Sequence, residues 1–475
     1  MLDKRKFYIN GEWVNPTKPN DHFIINPANE EQIAVISLGT EDDVNKAIAA
    51  AKAAFETFQF SSIDERIAIL EKITNLLKER NEEVAQAISD EMGAPLWLAR
   101  SSQAPSGYAH FAETLRVLKE YSFERKMGPS QVLREPIGVC GLITPWNWPI
   151  NQVACKVAPA LAVGCTMVLK PSELAPLDAM ILAEVIDASG VPKGVFNLVN
   201  GDGMGVGVPL SSHPDIDFVS FTGSTRAGIE ISKNAAPTVK KVALELGGKS
   251  PNIVLEDADI EKAVRQGVRI CFGNSGQSCN SPTRMFVPRA KLEQAKEVAK
   301  ATAESVVVSN PSDENAPKGA IGPLSNARQF TKVTGMIEDA IKEGNELIAG
   351  GTGRADGFDK GYFVKPTVFV SKDNNSTIAR EEVFGPVLTI IPYDNEEHAI
   401  QMANDTVYGL SAYVQSSDND HARAVARKLR AGMVHLNGIP TQIEAPFGGY
   451  KQSGNGREWG EFGLEEFTEV KAIMG

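Results

Sequence analysis

In the first third of the chain, apolar residues recur three and four positions apart, the spacing of one face of an α-helix. Thr40 is followed by EDDVNKAIAAAKAAF, with acids in the first turn, and Ser62-Ile63-Asp64-Glu65 has the form of a capping box before IAILEKITNLLKERNEEVAQAI. Both stretches predict amphipathic helices. Met92-Gly93-Ala94-Pro95 ends the second, because Gly accepts a left-handed cap and Pro cannot continue a helix. The first third is therefore expected to be mainly helical.

The period changes near residue 137. The short apolar runs IGVCGLI, TMVLK, GVFNLV, DFVSF and KVALEL alternate with helical patterns such as NQVACKVAPALAVG and LDAMILAEVIDASG. Buried strands joined by helices predict a parallel sheet covered on both faces. After residue 250 a second series follows, with strands expected at RMFVP, YFVKPTVFV, PVLTIIPY, LSAYVQS and GMVHLN. The fold class is α/β, with two parallel-sheet domains. Residues 446–460, PFGGYKQSGNGREWG, lie between patterned stretches and are expected to be a functional loop rather than a linker.

Composition narrows the classes without choosing one. The 475 residues allow two or three domains, and the net charge of −12 is spread along the chain, which argues against nucleic acid or an anionic membrane as partner. MLDKRKFYINGEWV has no apolar core of a signal peptide, and no apolar run is long enough to span a bilayer, so the expected location is cytoplasmic. The five cysteines include no C-x-x-C pair and no histidine at zinc-ligand spacing, so neither a disulfide framework nor a metal site is expected. Cys140, Cys155 and Cys271 have apolar neighbours and read as small core residues. Cys279, in GNSGQSCNSPTR, stands among small and polar residues.

The strands of the first series end in polar, Gly- or Pro-rich turns: Thr144-Pro145-Trp146-Asn147, Lys170-Pro171-Ser172-Glu173, Thr222-Gly223-Ser224-Thr225 and Glu245-Leu246-Gly247-Gly248. Ligands in open α/β sheets bind beyond the carboxyl ends of strands, so these turns point to one shared site. Ser224 and the amides after Gly223 stand at a helix start suited to a pyrophosphate, although a purely structural turn is an equal reading. Glu173, beside Lys170, could accept both hydroxyls of an adenosine ribose and repel a 2′-phosphate, favouring NAD over NADP; the alternative is a solvated ion pair. Cys279 is either a nucleophile with room around its sulfur or an inert loop thiol. Glu245 could serve as a general base, and the neutral amide of Asn147 as an oxyanion donor. Together these groups describe a thiol-mediated oxidation.

TPWNWP, KPSE, FTGST, LELGGKSP, GQSC, EEVFGPV, NDTVYGL and PFGGYKQSGNGRE occur in that order over nearly the whole chain. The set resembles the NAD(P)-dependent aldehyde dehydrogenase superfamily, in its non-acylating, hydrolytic form. The resemblance implies a Rossmann-like NAD-binding domain from residues 1–120 and 137–247, and a catalytic domain from 248–463. It also implies a small β oligomerisation arm from 121–136 and 464–475, joining a homodimer or homotetramer. It assigns Cys279 as nucleophile, Asn147 with the Cys279 N–H as oxyanion hole, and Glu245 as activator of water. It assigns Lys170 and Glu173 to the ribose, Gly223 and Ser224 to the pyrophosphate, and Glu382 with Phe384 to the nicotinamide riboside. Thr144 and Trp146 would lie along the cofactor, which is NAD, with NADP less favoured.

Trp148, Asn151, Gln152, Cys155, Ser278 and Asn280 would line the aldehyde tunnel, with Gln442 and Glu444 at its mouth. That set holds no arginine for a terminal carboxylate. Neutral aliphatic, aromatic or hydroxylated aldehydes are thus expected ahead of acidic semialdehydes. The competing readings are a coenzyme A-acylating enzyme, a thiol hydrolase and a dinucleotide binder without turnover.

Overall fold

The computed structural model describes residues 1–475. The five apolar runs after residue 137 form the strands Val139–Ile143, Thr166–Lys170, Phe196–Leu198, Phe218–Thr222 and Lys241–Glu245. All pair in parallel, with Phe218–Thr222 returning to the side of Val139–Ile143 opposite Thr166–Lys170. Successive side chains alternate between faces. Cys140, Leu142, Met167 and Leu169 pack with helices Pro149–Val163 and Leu177–Ala188, whereas Val139, Ile143 and Val168 pack with Glu41–Phe58. The order reverses between Val139–Ile143 and Phe218–Thr222, and a crevice opens beyond the carboxyl ends of strands at such a switch point.

The sheet is not purely parallel. The hairpin Phe7–Ile9 and Glu12–Val14 adds two antiparallel strands at one edge, and Gly454–Asn455 pairs antiparallel with Lys241–Glu245 at the other. The second of these comes from the Gly-rich stretch that the sequence grouped with the catalytic segment. The first third is mainly helical from residue 41 onward, while residues 2–37 hold five short strands before the first helix. The turn of the N-terminal hairpin is Asn10-Gly11, both at positive φ, a pairing that favours tight hairpins.

The first expected helix is Glu41–Phe58, with a capping box between Thr40 and Asp43; the second begins at Ile63 under the Ser62–Glu65 box. The second pattern is two helices, Ile63–Glu79 and Asn81–Met92, separated at Arg80. The Arg80 guanidinium donates to Glu83 and to Glu184 on a neighbouring helix, anchoring the joint. Gly93 ends the helix at φ 85°, as expected of a left-handed cap.

Beyond residue 250, Arg284–Pro288, Thr367–Val370, Val387–Tyr393, Ser411–Gln415 and Met433–Leu436 are strands of a second sheet. Pro251–Val254 lies inside it, between Arg284–Pro288 and Ser411–Gln415, and Glu346–Ala349 forms its antiparallel edge, both unforeseen. The arm is a three-stranded antiparallel sheet of Glu124–Met127, Ser130–Pro136 and Thr468–Ile473. No helix is long and apolar enough to cross a membrane.

One buried feature gives a stability prediction. The Glu91 carboxylate accepts from the Leu177 and Asp178 N–H groups at the start of Leu177–Ala188, and both Asp178 carboxylate oxygens are buried without partners. Burial pushes Asp178 up to about 7; burial and then the Asp178 charge push Glu91 up as well. A native carboxyl that holds its proton more tightly than the unfolded chain stabilises fully in acid, and that contribution is lost as pH rises towards about 7. Asp178→Asn is therefore expected to raise Tm over the parent more at about pH 8 than at about pH 5, by several degrees in a thermal melt.

Candidate active site

A cleft of about 610 Å³ lies over the carboxyl ends of the first sheet and against the second domain. Four strand ends supply its wall: Trp146 and Asn147 after Val139–Ile143, Glu173 after Thr166–Lys170, Gly223 and Ser224 after Phe218–Thr222, and Glu245 ending Lys241–Glu245. Cys279, Glu382 and Phe384 face them from the other side. Thr144 and Lys170 are buried just behind this wall. Lys170 Nζ donates to the Pro171 carbonyl and stands 3.3 Å from the Glu173 carboxylate.

One end of the cleft suits an elongated anionic ligand. Ser224 caps helix Thr225–Ala235 by accepting from the Ala227 N–H, leaving the positive helix end towards the cleft. Arg226 and Arg328 are exposed on its lining and pair with no carboxylate. A Cβ on Gly223 would stand 2.5 Å from the Phe221 ring, and one on Gly247 would stand 2.7 Å from the Glu382 carboxylate. Only glycine keeps both walls open. These features could hold a dinucleotide, with Glu173 towards one end of the cleft and Glu382 near the thiol.

Of the two neighbouring acids, Glu382 turns inward: its carboxylate accepts from the Gly248 N–H at 2.9 Å, while Glu381 is exposed. Helix Ala327–Lys342 clamps this loop, with Gln329 Nε2 donating to the Phe384 carbonyl and Lys332 Nζ to that of Glu382. Phe384 sits at φ 62° and meets Trp146 edge-on at 5.5 Å.

At the other end, the backbone before Cys279 is coiled tightly. Asn274, Ser275 and Gly276 have φ of 54°, 57° and 71°, a run of left-handed residues that a chain adopts only when its surroundings hold it. Gln103 donates to Asn274 Oδ1, Ser275 donates to the Gly322 carbonyl, and a Cβ on Gly276 would strike the Gly385 carbonyl at 2.0 Å. Asn147 Nδ2 donates to the Gln277 carbonyl at 2.9 Å, which fixes the amide and leaves its second N–H free. Burial, then the charges of Glu382 and Glu245, push the Cys279 thiol above its ordinary range.

Glu245 is 3% exposed, and neither carboxylate oxygen has a hydrogen-bond partner. Burial and then the Glu458 charge push it well above the usual carboxylate range, against Lys156 and Arg457. Gly448 touches it, since a Cβ there would stand 2.7 Å from Glu245 Oε1. The Gly-rich segment thus forms the lid of the catalytic wall.

Lys156 and Glu458 were missed in the sequence. They form an ion pair behind Glu245, with both side chains buried and Lys156 Nζ also donating to Ser220 Oγ. Lys156 sits alone among apolar residues in NQVACKVAPALAVG, a charge at a core position that could have revealed it.

The expected tunnel residues occupy both sides of the thiol loop. Trp148 Nε1 donates to Ser278 Oγ at 2.9 Å, and the Asn280 carbonyl accepts from the Tyr413 hydroxyl. Gln152 and Cys155 are buried, with Cys155 Sγ 3.5 Å from the Glu458 carboxylate. Asn151 is half-buried, and Gln442 and Glu444 are exposed.

Known proteins share this fold over the full chain. The sequence model of the aldehyde dehydrogenase family matches residues 13–473. A 3-succinoylsemialdehyde-pyridine dehydrogenase of a Pseudomonas species is 55% identical, the match covering 100% of this chain and 99% of that protein. A cysteine-to-alanine mutant of aldehyde dehydrogenase C from Pseudomonas syringae, solved with NAD+ and octanal, is 50% identical. It superposes with a TM-score of 0.97, over 99% of this chain and 96% of that one. A Mycobacterium tuberculosis aldehyde dehydrogenase complexed with NAD+ is 38% identical with a TM-score of 0.96, over 100% and 98% of the two chains. A family model that matches residues 13–473, on a fold whose cleft gathers the thiol, the acid and the amide, has one meaning: this chain belongs to the aldehyde dehydrogenase family.

Proposed function

We propose that this enzyme oxidises neutral aldehydes to carboxylic acids with NAD, using Cys279 as nucleophile, Asn147 as oxyanion donor and Glu245 as the base that activates water. The observation that carries this reading is the single cleft lined by all three together with Glu173, Ser224 and Glu382. The relatives' ligands, NAD+ and octanal in one structure and a pyridine-bearing aldehyde in another protein's name, support the same substrate class.

The Cys279 sulfur attacks the aldehyde carbon, and its proton passes to a base, with Glu245 the acid-base group facing the same space. The oxygen of the new thiohemiacetal gains negative charge, which the free N–H of Asn147 and the Cys279 N–H stabilise. The chemistry that bound NAD supplies is acceptance of one hydride. Oxidation leaves the acyl group on Cys279 as a thioester. Glu245 then takes a proton from water, which attacks the thioester carbon; the thiolate leaves, is reprotonated, and the acid departs. Lys156 and Glu458 act on Glu245 through their charges, Glu458 holding its proton on and Lys156 easing it off.

Glu173 favours NAD over NADP by opposing a 2′-phosphate. The division into an NAD-binding part of residues 1–120 and 137–247 and a catalytic part of 248–463 is consistent with the two separate sheets. Residues 121–136 and 464–475 join a second copy of the chain on this reading, supported by the exposed Met127, Val470, Ile473 and Met474 on the arm. Five unpaired cysteines suit a reducing cytoplasm.

The test is NADH formation from neutral, aromatic and acidic aldehydes, with NAD and NADP compared and coenzyme A present or absent. NAD-dependent turnover without coenzyme A is the expected result. Activity that requires coenzyme A would remove Glu245 from its role, and hydrolysis with no NADH would favour a thiol hydrolase.

A further inference from the structure

The buried ion pair behind Glu245 has a third member. Glu458 presents two carboxylate oxygens to helix Pro149–Val163: Oε1 pairs with the Lys156 ammonium, and Oε2 stands 3.5 Å from Cys155 Sγ. Cys155 is 3% exposed and Glu458 7%, so the contact is shielded from bulk water. The same sulfur stands 3.4 Å from the Gln152 carbonyl, one turn back in its own helix. Of the two acceptors the carboxylate is the stronger, because its charge strengthens a hydrogen bond. Burial, then the Glu458 charge, push the Cys155 thiol above its ordinary range, in keeping with a sulfur that donates.

Glu458 reaches Glu245 through the returning Gly-rich segment. Gly454 and Asn455 pair with Glu245 and Leu244, and backbone hydrogen bonds in both directions join Glu458 to Phe447. Next to Phe447, a Cβ on Gly448 would stand 2.7 Å from Glu245 Oε1 and 2.9 Å from Arg457 Cδ. The titratable groups around Glu245 come from every neighbouring element: Cys155 and Lys156 from the helix, Arg457 and Glu458 from the returning segment, Glu466 from helix Gly460–Glu466 and Cys279 from the thiol loop. Among these charges Glu458 acts on Glu245 most strongly. Where the Glu458 carboxylate sits therefore matters to the base.

We propose that Cys155 is a positioning residue for the hydrolytic half of the reaction: its thiol holds Glu458 Oε2 while Lys156 holds Oε1, which fixes the negative charge behind Glu245. This rests on the reading of Glu245 as the base that activates water, and adds the group that keeps its neighbour in place. Without a donor at position 155, one buried oxygen of Glu458 loses its partner, and a buried carboxylate in that state takes up a proton more readily. Glu245 then faces less negative charge and releases its own proton at lower pH.

The experiment follows loss of the acyl group from Cys279 in single turnovers, by quenched mass spectrometry from about pH 5 to about pH 10, in the parent, Cys155→Ala, Cys155→Val and Cys155→Ser. Hydrolysis by the parent is expected to rise through one midpoint. Alanine and valine, which cannot donate, are expected to move that midpoint down by about half a unit to one unit. Serine, whose hydroxyl donates, is expected to keep it within about 0.2 units. A shift common to hexanal and benzaldehyde belongs to the enzyme's own groups and not to substrate fit. Thermal melting checks that each variant folds, and valine, which refills the space, carries the test if alanine does not fold. An unmoved midpoint in the variants without a donor, or an equal shift in Cys155→Ser, would overturn the inference, while a midpoint that Glu245→Gln abolishes leaves the dehydrogenase reading standing. Absence of NADH from every aldehyde, or a parent rate that is flat across this range, would overturn the role of Glu245 together with the inference.

Discussion

Replacing Cys279 by alanine is expected to lower kcat for aldehyde oxidation by about 10⁴-fold or more while NAD binding persists. The thiol is the group on the cleft that can form and later release a bond to the substrate carbon, and the other four cysteines are buried elsewhere. Its side chain makes no hydrogen bond that holds the loop. Asn274, Ser275 and Gly276 are anchored by Gln103, Gly322 and the Gly385 backbone, all outside the exchanged residue. The variant should therefore keep its shape, with a calorimetric NAD affinity within about threefold of the parent, a difference under 1 kcal/mol. Cys279→Ser refines the result: a hydroxyl is a far weaker nucleophile, so this variant should also be nearly inactive. Appreciable turnover by either would remove Cys279 from the chemistry.

Glu245→Gln separates the two halves of the reaction. The first turnover should still yield a burst of NADH, whereas steady-state turnover should fall by about 10²- to 10⁴-fold, because an amide cannot take a proton from water. Mass spectrometry of the quenched variant should find the acyl group on Cys279. The pH dependence has a definite sign. Burial and Glu458 raise the Glu245 pKa, so hydrolysis by the parent gains rate as pH climbs through that raised value and the carboxylate appears. The glutamine variant should lose this rise. Loss of the burst as well would show that Glu245 also receives the Cys279 proton.

Much of this site was legible in order along the sequence because strand ends carry both the pattern and the chemistry. Four of the five apolar runs of the first sheet stop where Asn147, Glu173, Ser224 or Glu245 begins to face the cleft. What escaped was long-range. Lys156 and Glu458 are 302 positions apart and acquire meaning only when residues 446–460 return to the first sheet. Pro251–Val254 is only four residues long and follows Gly247-Gly248-Lys249-Ser250 closely, so its apolar signal merges with the turn. The break at Arg80 has no Gly or Pro to announce it and is set by a side chain reaching Glu184.

The return of Gly454–Asn455 to the edge of Lys241–Glu245 ties catalysis to the direction of synthesis. A chain leaves the ribosome from its amino end, so the strand bearing Glu245 emerges some two hundred residues before the segment that shields it. Until that segment arrives, Glu245 stays hydrated with an ordinary acidity, and the lysine behind it lacks its partner. The catalytic wall is thus complete only once residues 446–460 have been made, well after the thiol loop itself.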